Sequence, residues 1–428
     1  MKLFKLFVFL MVTVPQILWA QSAYQNIIID EAPSAGGPEE PTIAISLKDT
    51  QYLVAGANIN RTYYSTDGGR TWAKNRLSSK FGVWGDPVAI SNSKGHFYFF
   101  HLSDPTGRNW ASEEILDRIV VQRSKNNGKR WNKGWSIGLN HPKDQDKEWA
   151  CYDPISHEMV VTWTQFDRYG SEQQQDSSYI LFSRSNRKGK KWSEPIRINQ
   201  YAGDCVDDDQ TTEGAVPAFG PNGEIYVAWS YDEKIWFDYS LDGGETWLDK
   251  DLVVADQPGG WTIDIPGINR CNGMPITVCD ISNSPHRGTV YVNWADQRNG
   301  ETDTDIFVAK STDGGKTWSD PIQVNDDQTV AHQFLTWMAI DQTTGNLYCV
   351  FYDRRNHLDN QTDVYLATST DGGLTWENER ISDKPFLPNS EVFFGDYNNI
   401  SAHLGMVRPI WTHLEDGKLS IRTAIIQK

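Results

Sequence analysis

With 428 residues, a formal charge of −16 and 39% hydrophobic residues, the chain is long enough to bury a sizeable core. Its acidity argues against nucleic acid and anionic membrane as partners. Its five cysteines lack zinc-site spacing, which excludes a cysteine-framed metal domain.

The N-terminus reads as a secretory leader over residues 1–20. Met1 to Lys5 is a short basic start, Leu6 to Leu18 is apolar, and Ala20 is a small residue before a cut. The apolar run is too short to span a bilayer comfortably. A secreted or periplasmic monomer is expected, with residues 21–428 as one domain. Loss of Lys2 and Lys5 would take the charge from −16 to −18. Export permits a disulfide. Cys271 and Cys279, which bracket a short segment, are the best-placed pair, with Cys205 as an alternative partner, whereas Cys151 and Cys349 read as buried thiols.

A motif recurs along the rest of the chain. Ser65–Trp72 reads STDGGRTW, Ser240–Trp247 SLDGGETW, Ser311–Trp318 STDGGKTW and Ser369–Trp376 STDGGLTW. Ser124–Trp131 and Ser185–Trp192 keep only the frame, and the six starts lie 59, 61, 55, 71 and 58 residues apart. Such a period marks a repeat architecture. The Asp carboxylate can close a turn by accepting backbone N–H bonds. The glycine pair supplies positive φ at a hairpin tip, and the Trp offers a large apolar face to a neighbouring sheet.

Around each motif four strands are predicted, with the Asp-containing turn between the third and fourth, C and D. Blade 1 starts at Pro41, blade 2 at Asp86, blade 3 near Glu148, blade 4 at Glu213 and blade 6 at His332; blade 5 carries an insertion through Trp261 and Arg270. Asp396 to Ala402, Met406 to Trp411 and Leu419 to Ile425 supply three strands of a seventh blade, and Tyr24 to Ile29 its fourth. The expected fold is an all-β, seven-bladed propeller, closed by the N-terminal strand, with six blades as the alternative. The Asp-containing turns then share the bottom face. The loops where strands A begin form the top face, and candidate site residues are sought there.

The boxes resemble the bacterial neuraminidase (BNR) repeat, and the mature chain resembles the sialidase-like propellers of secreted glycoside hydrolases. Asn269–Gly273, His332–Trp337, Phe351–Arg355 and Phe393–Tyr397 look like segments of a bacterial glycosyl hydrolase subgroup. The resemblance implies a Glu-activated Tyr nucleophile, an Asp acid/base and an arginine trio for the substrate carboxylate. Glu213 resembles the glutamate, Tyr397 the tyrosine, and Asp86 or Asp396 the acid/base. An Arg-Ile-Pro segment is expected before the first box, but Glu39-Glu40-Pro41 stands there instead.

Arg270, Arg354 and Arg355 fall on predicted top loops, where a guanidinium can grip a carboxylate or sulfate. Asp296-Gln297-Arg298 and Asp353-Arg354-Arg355 occupy matching loops, which also fits a salt-bridge brace. Asp305 and Asp363 are read as loop caps, with calcium kept open; otherwise no cofactor and no metal ligand set is expected. His332, Gln333, His101, Trp337 and Trp149 depart from the repeat and are candidate contacts, His332 also as a catalytic base. The expected partner is an acidic or decorated oligo- or polysaccharide. Three activities are compatible: glycoside hydrolysis, β-elimination at a uronic acid by His and Tyr, and glycan or protein binding without turnover.

Overall fold

The computed structural model describes residues 24–428, so the expected leader lies outside the described residues. These residues form seven four-stranded antiparallel sheets, a seven-bladed β-propeller, with one short 3-10 turn at Asn109–Ala111. Strands A are Thr42–Ile45, Val88–Ser91, Asp144–Tyr152, Glu213–Phe219, Ile276–Cys279, Gln333–Ile340 and Asn399–His403. Those of neighbouring blades meet around the central axis. Blade 7 takes its outer strand from the N-terminus: Gln25–Pro33 pairs with Lys418–Gln427, from Gln25 opposite Ile425 to Pro33 opposite Lys418. This pairing covers the edge that the last C-terminal strand would otherwise present.

The boxes show why their residue types recur. Asp371 accepts the N–H groups of Leu374 and Thr375 at 3.0 Å each and the Thr375 hydroxyl at 2.6 Å. The Ser369 hydroxyl donates to Asp371 at 2.9 Å and accepts the Gly373 N–H at 2.9 Å. Both glycines of the pair have positive φ, 72° at Gly372 and 75° at Gly373. In two boxes the second glycine is also a close approach. A Cβ on Gly244 would lie 2.3 Å from Phe182 and one on Gly315 2.4 Å from Phe237, each on the preceding blade. The box tryptophans then stack edge-on against those rings, Trp247 on Phe182 at 5.0 Å and Trp318 on Phe237 at 4.9 Å. Each box is thus a turn and a blade-to-blade clamp.

Strands B carry the largest core side chains, Trp163, Trp229, Trp294 and Trp411, all fully buried. Burying each stabilises the fold by roughly 3 kcal/mol before entropy is counted. The expected disulfide is absent: all five cysteines are free. The segment between Cys271 and Cys279 contains strand A of blade 5, Ile276–Cys279, and is not a compact loop. At roughly 3.3 Å per residue an extended strand carries its ends apart, beyond the reach of an S–S bond.

Candidate active site

Strand A of several blades enters the ring through one backbone residue in the left-handed region. Glu40, Asp86, Lys147, Gly214 and Leu335 have φ of 52°, 47°, 53°, 74° and 47°. Each stands two residues before an axial position, Thr42, Val88, Trp149, Val216 and Trp337, that lines the central channel. In blades 3, 4 and 6 the pairing register shifts there, between Asp146 and Trp149, Glu213 and Val216, and Phe334 and Trp337. A bulge of this kind re-aims the side chains around it. Non-glycine residues in this region are costly and cluster at functional sites.

Glu40, Asp86 and Lys147, each left-handed at its strand entry, stand at the top mouth of the channel, where they form a charge network with loop residues. Lys147 Nζ donates to Asp396 Oδ2 at 2.6 Å. The Arg270 guanidinium, from the blade 5 insertion, forks onto both Asp396 oxygens, with Nε–Oδ1 at 2.8 Å, and reaches Asp207 Oδ2 at 2.9 Å. The Tyr169 hydroxyl also donates to Asp207 Oδ2, at 2.8 Å, and Trp261 Nε1 to Asp207 Oδ1 at 3.2 Å. Asn58 Nδ2 donates to Glu40, whose other oxygen accepts the Asp396 N–H at 3.3 Å. Asn58 Oδ1 accepts the Asp86 N–H at 2.9 Å. Below this layer Trp149 and Trp337, with centroids 4.2 Å apart, and Tyr397, 4.9 Å from Trp149, separate the charges from an apolar channel of about 530 Å³.

The network divides its acids. Against the burial that would raise it, Lys147 and Arg270 hold the Asp396 carboxyl down to about 2. Burial, then the Asp86 carboxylate, pushes Asp146 and Glu148 well up. Burial, then Asp207, does the same to Glu213, and burial, then Asp86 and Asp396, to Glu40. Burial and the Asp86 charge raise the Tyr397 phenol. Two cations in a buried site thus sit beside salt-bridged Asp396 and Asp207, and the surplus carboxyls are driven toward the neutral form. Several polar atoms remain without a protein partner: Asp86 Oδ2, the Tyr397 hydroxyl and both carboxyl oxygens of Glu148 and Glu213. Buried, unpaired polar atoms of this kind are costly and point to a ligand or a reaction. Among the described residues no group of three or more His, Cys, Asp or Glu is arranged to hold a metal ion.

Residues 230–423 match the family described as a BNR repeat-like domain, and residues 63–74 match the BNR/Asp-box repeat. The fold is a seven-bladed β-propeller, and its repeats are similar to the BNR repeats of sialidase-like propellers. A sialidase of Bacteroides fragilis (strain YCH46) is 22% identical over 324 residues, which cover 74% of this propeller and 47% of that protein. The propeller thus spans about half of that relative's length. Among solved structures, an ulvan lyase of polysaccharide lyase family PL25, bound to a GlcA(1-4)Rha3S unit, superposes with a TM-score of 0.56 at 11% identity, over 94% of this propeller and 96% of that chain. An α-L-arabinofuranosidase of Fusarium graminearum gives 0.53 at 12% identity, over 95% and 98%. At such identity these two likenesses concern the fold.

The propeller gathers Glu213, Tyr397, Asp396, Asp86, Arg270, Trp149 and Trp337 at the mouth, but not in the expected pairs. Tyr397 makes no hydrogen bond to Glu213; the charges that act on it most are those of Asp86 and Glu40, while Glu213 faces Asp207. Other expected contacts are held elsewhere. His101 is fully buried, bonded to the Leu102 carbonyl at 2.7 Å and to Gln122 at 3.1 Å, and burial lowers it to about 4. Gln333 is locked between Asn325 and Asp353. Arg355 braces its own loop through Asp353 and Asp326, as Arg298 does through Asp296. Arg354 lies buried over Phe334 and bonds Thr362, and His332 bonds Thr304 at 3.0 Å. None of His101, Gln333, Arg355, Arg354 and His332 hydrogen-bonds to the mouth network; their bonds tie adjacent strands and loops, and Arg354 Nη2 is left without a partner. Asp305 accepts from Asn325, Gln323 and Asn299, and Asp363 from Ser382 and Asn356.

Sequence reasoning missed Asp146, Lys147, Glu148, Glu40 and Asp207 as site members. The available signal was Asp144-Gln145-Asp146-Lys147-Glu148, a charged run that opens the inner strand Asp144–Tyr152. A residue pattern of that kind has no place on an axis unless its charges pair across the ring.

Proposed function

We propose that the protein is a glycan-active hydrolase that cleaves a glycosidic bond at the charged mouth, on a sugar with an acidic or polar substituent. The observation that carries this reading is the convergence there of Asp86, Asp146 and Tyr397. Burial and the Asp86 charge push Asp146 toward the neutral form, while Asp86 Oδ2 and the Tyr397 phenol have no protein partner. Carboxyl groups whose environments drive them apart are the pattern of an acid and a base working together.

In the reading we favour, Asp146 gives its proton to the leaving oxygen as the bond to the anomeric carbon breaks. Tyr397 forms the new bond to that carbon and passes its phenolic proton to Asp86. Water then attacks the same carbon, losing a proton to the Asp146 carboxylate, while Tyr397 leaves and recovers its proton from Asp86. Arg270 uses three of its five N–H donors on Asp207 and Asp396, and those left can hold the substituent. Glu213, sealed beneath Asp207, positions that carboxylate. Glu39 stands where the resemblance expects the leading arginine of a carboxylate-binding trio. An arginine-gripped sialic acid is therefore not the substrate we infer, although a relative is named a sialidase. The likeness to propellers named for arabinofuranosidase and ulvan lyase activities supports a glycan substrate more broadly. Export by the leader and action as a monomer complete this reading.

The test is a digestion of sialylated, uronate-containing and sulfated oligosaccharides in heavy-oxygen water. Heavy oxygen in one product of each cleavage, without new ultraviolet absorbance, is the expected result. An unsaturated, absorbing product without water uptake would replace hydrolysis by β-elimination.

A further inference from the structure

One flank of the mouth carries an aromatic surface that the chemistry above does not use. Trp110 lies on the 3-10 turn Asn109–Ala111 in the top loop of blade 2 and is 55% exposed. Its ring stacks on Tyr169 of blade 3, with centroids 5.7 Å apart and planes 25° apart. Trp84, from the connection between blades 1 and 2, meets it edge-to-face at 6.0 Å. The Tyr169 hydroxyl is the one that donates to Asp207, the partner of Arg270. The aromatic surface and the charged mouth therefore share a residue.

The surface is held in place by backbone. Asp104 N–H donates to the Phe81 carbonyl at 3.1 Å, and Trp84 N–H to that of Leu102 at 3.0 Å, joining the two segments that carry the tryptophans. Between them Gly82, with φ of 69°, approaches so closely that a Cβ would lie 1.8 Å from the Asp104 carbonyl oxygen. Asp104 Oδ2 also accepts the Asn109 N–H at 3.2 Å, fixing the turn that presents Trp110. Tyr169 is seated edge-on against Phe166 at 5.2 Å. A large, half-exposed indole on a loop without further purpose gains nothing from such fixing. A rigid aromatic face beside hydrogen-bonding groups matches the two surfaces of a pyranose ring, its C–H face and its hydroxyl edge.

We propose that Trp110, supported by Trp84 and Tyr169, is a distal sugar subsite that stacks a ring of the bound glycan away from the cleaved bond. This subsite makes the enzyme prefer longer chains, and it rests on the reading of the mouth as a glycan site. Continuity through Tyr169 and Asp207 selects a carbohydrate chain as its occupant, because one chain can contact platform and mouth together.

The experiment compares the wild-type protein with Trp110→Ala and Trp110→Phe on arabinobiose against arabinohexaose, and on ulvan disaccharide against ulvan octasaccharide. For whichever long substrate is cleaved, Trp110→Ala should raise KM about tenfold and leave the short one unchanged, the scale of one lost ring stack. Trp110→Phe should recover most of that loss. Equal effects on long and short substrates, or none on either, would overturn the subsite while leaving the proposed hydrolysis standing. If the wild-type protein cleaves none of these, tryptophan fluorescence titration with arabinohexaose and ulvan octasaccharide decides separately. Binding that Trp110→Ala abolishes sustains the subsite, whereas no binding, or binding that the substitution leaves intact, overturns it.

Discussion

The two faces of the propeller use the same side chain in opposite ways. On the bottom face the box aspartates are exposed or half-buried and well partnered. Backbone and side-chain bonds from Thr317 hold Asp313 down to about 2, and those from Thr375 hold Asp371 there against partial burial. On the top face Asp146, Glu148 and Glu213 are buried and pushed up, and the oxygens of Glu148 and Glu213 have no protein donor. A carboxylate surrounded by N–H and O–H donors is a structural part, while one stripped of water and given a like-charged neighbour becomes an acid. Residue type alone does not distinguish the two faces; environment does.

The largest effect separating the faces should be on turnover. Asp146→Asn and Tyr397→Phe should each reduce kcat by about a hundred- to ten-thousand-fold, whereas Asp371→Ala should leave it unchanged, as measured on the same oligosaccharide. Next comes the ion pair beneath the mouth. Lys147 and Asp396 are both buried, so Lys147→Met strips the carboxylate of one of its two cations, leaving Arg270 alone, and should cost about 3 kcal/mol in denaturant unfolding. The corresponding loss for Asp371→Ala, whose bonds water can replace, should be about 1 kcal/mol. If the two losses are equal, the mouth is not a strained, low-dielectric site.

The pH dependence sharpens the contrast, because the two sets have opposite signs. The box carboxyls bind protons less readily when folded. Their stabilisation is present above the ordinary carboxylate range and is lost as pH falls from about 4 through about 2. The mouth carboxyls Asp146, Glu148 and Glu213 bind protons more readily when folded, so they withdraw stability as pH rises above the unfolded carboxylate range. Glu148→Gln should therefore gain thermal stability over the wild type at pH above neutrality and little in mild acid, as read by Tm at several pH values. A gain that is largest in acid would reverse the assignment.

The fold was legible because its signals are local and repeated. Ser369–Trp376 states its own turn chemistry, and six copies at near-constant spacing leave a propeller as the economical solution. The closing strand was legible too, because three unpaired strand patterns at the C-terminus required a fourth, and Gln25–Pro33 provides it. The site was legible only in part. Asp86, Glu213, Arg270, Asp396 and Tyr397 stand at blade entries, so topology alone brings them to the mouth. Which of them touch depends on the left-handed backbone at Asp86, the bulge at Lys147 and loop paths across the ring, and no local pattern encodes those. His101, Gln333 and Arg355 misled for the converse reason: side chains outside the repeat can serve strand-to-loop bracing as readily as binding.

The measurement that bears most directly on the mouth as a catalytic centre is single-turnover cleavage of the preferred oligosaccharide by wild-type protein, Asp146→Asn and Tyr397→Phe, with product masses recorded. The account predicts product with one added water from the wild type, and from either variant a rate lower by at least about a hundredfold with the fold intact. Wild-type rates in both variants would contradict it and move the chemistry away from the charged mouth.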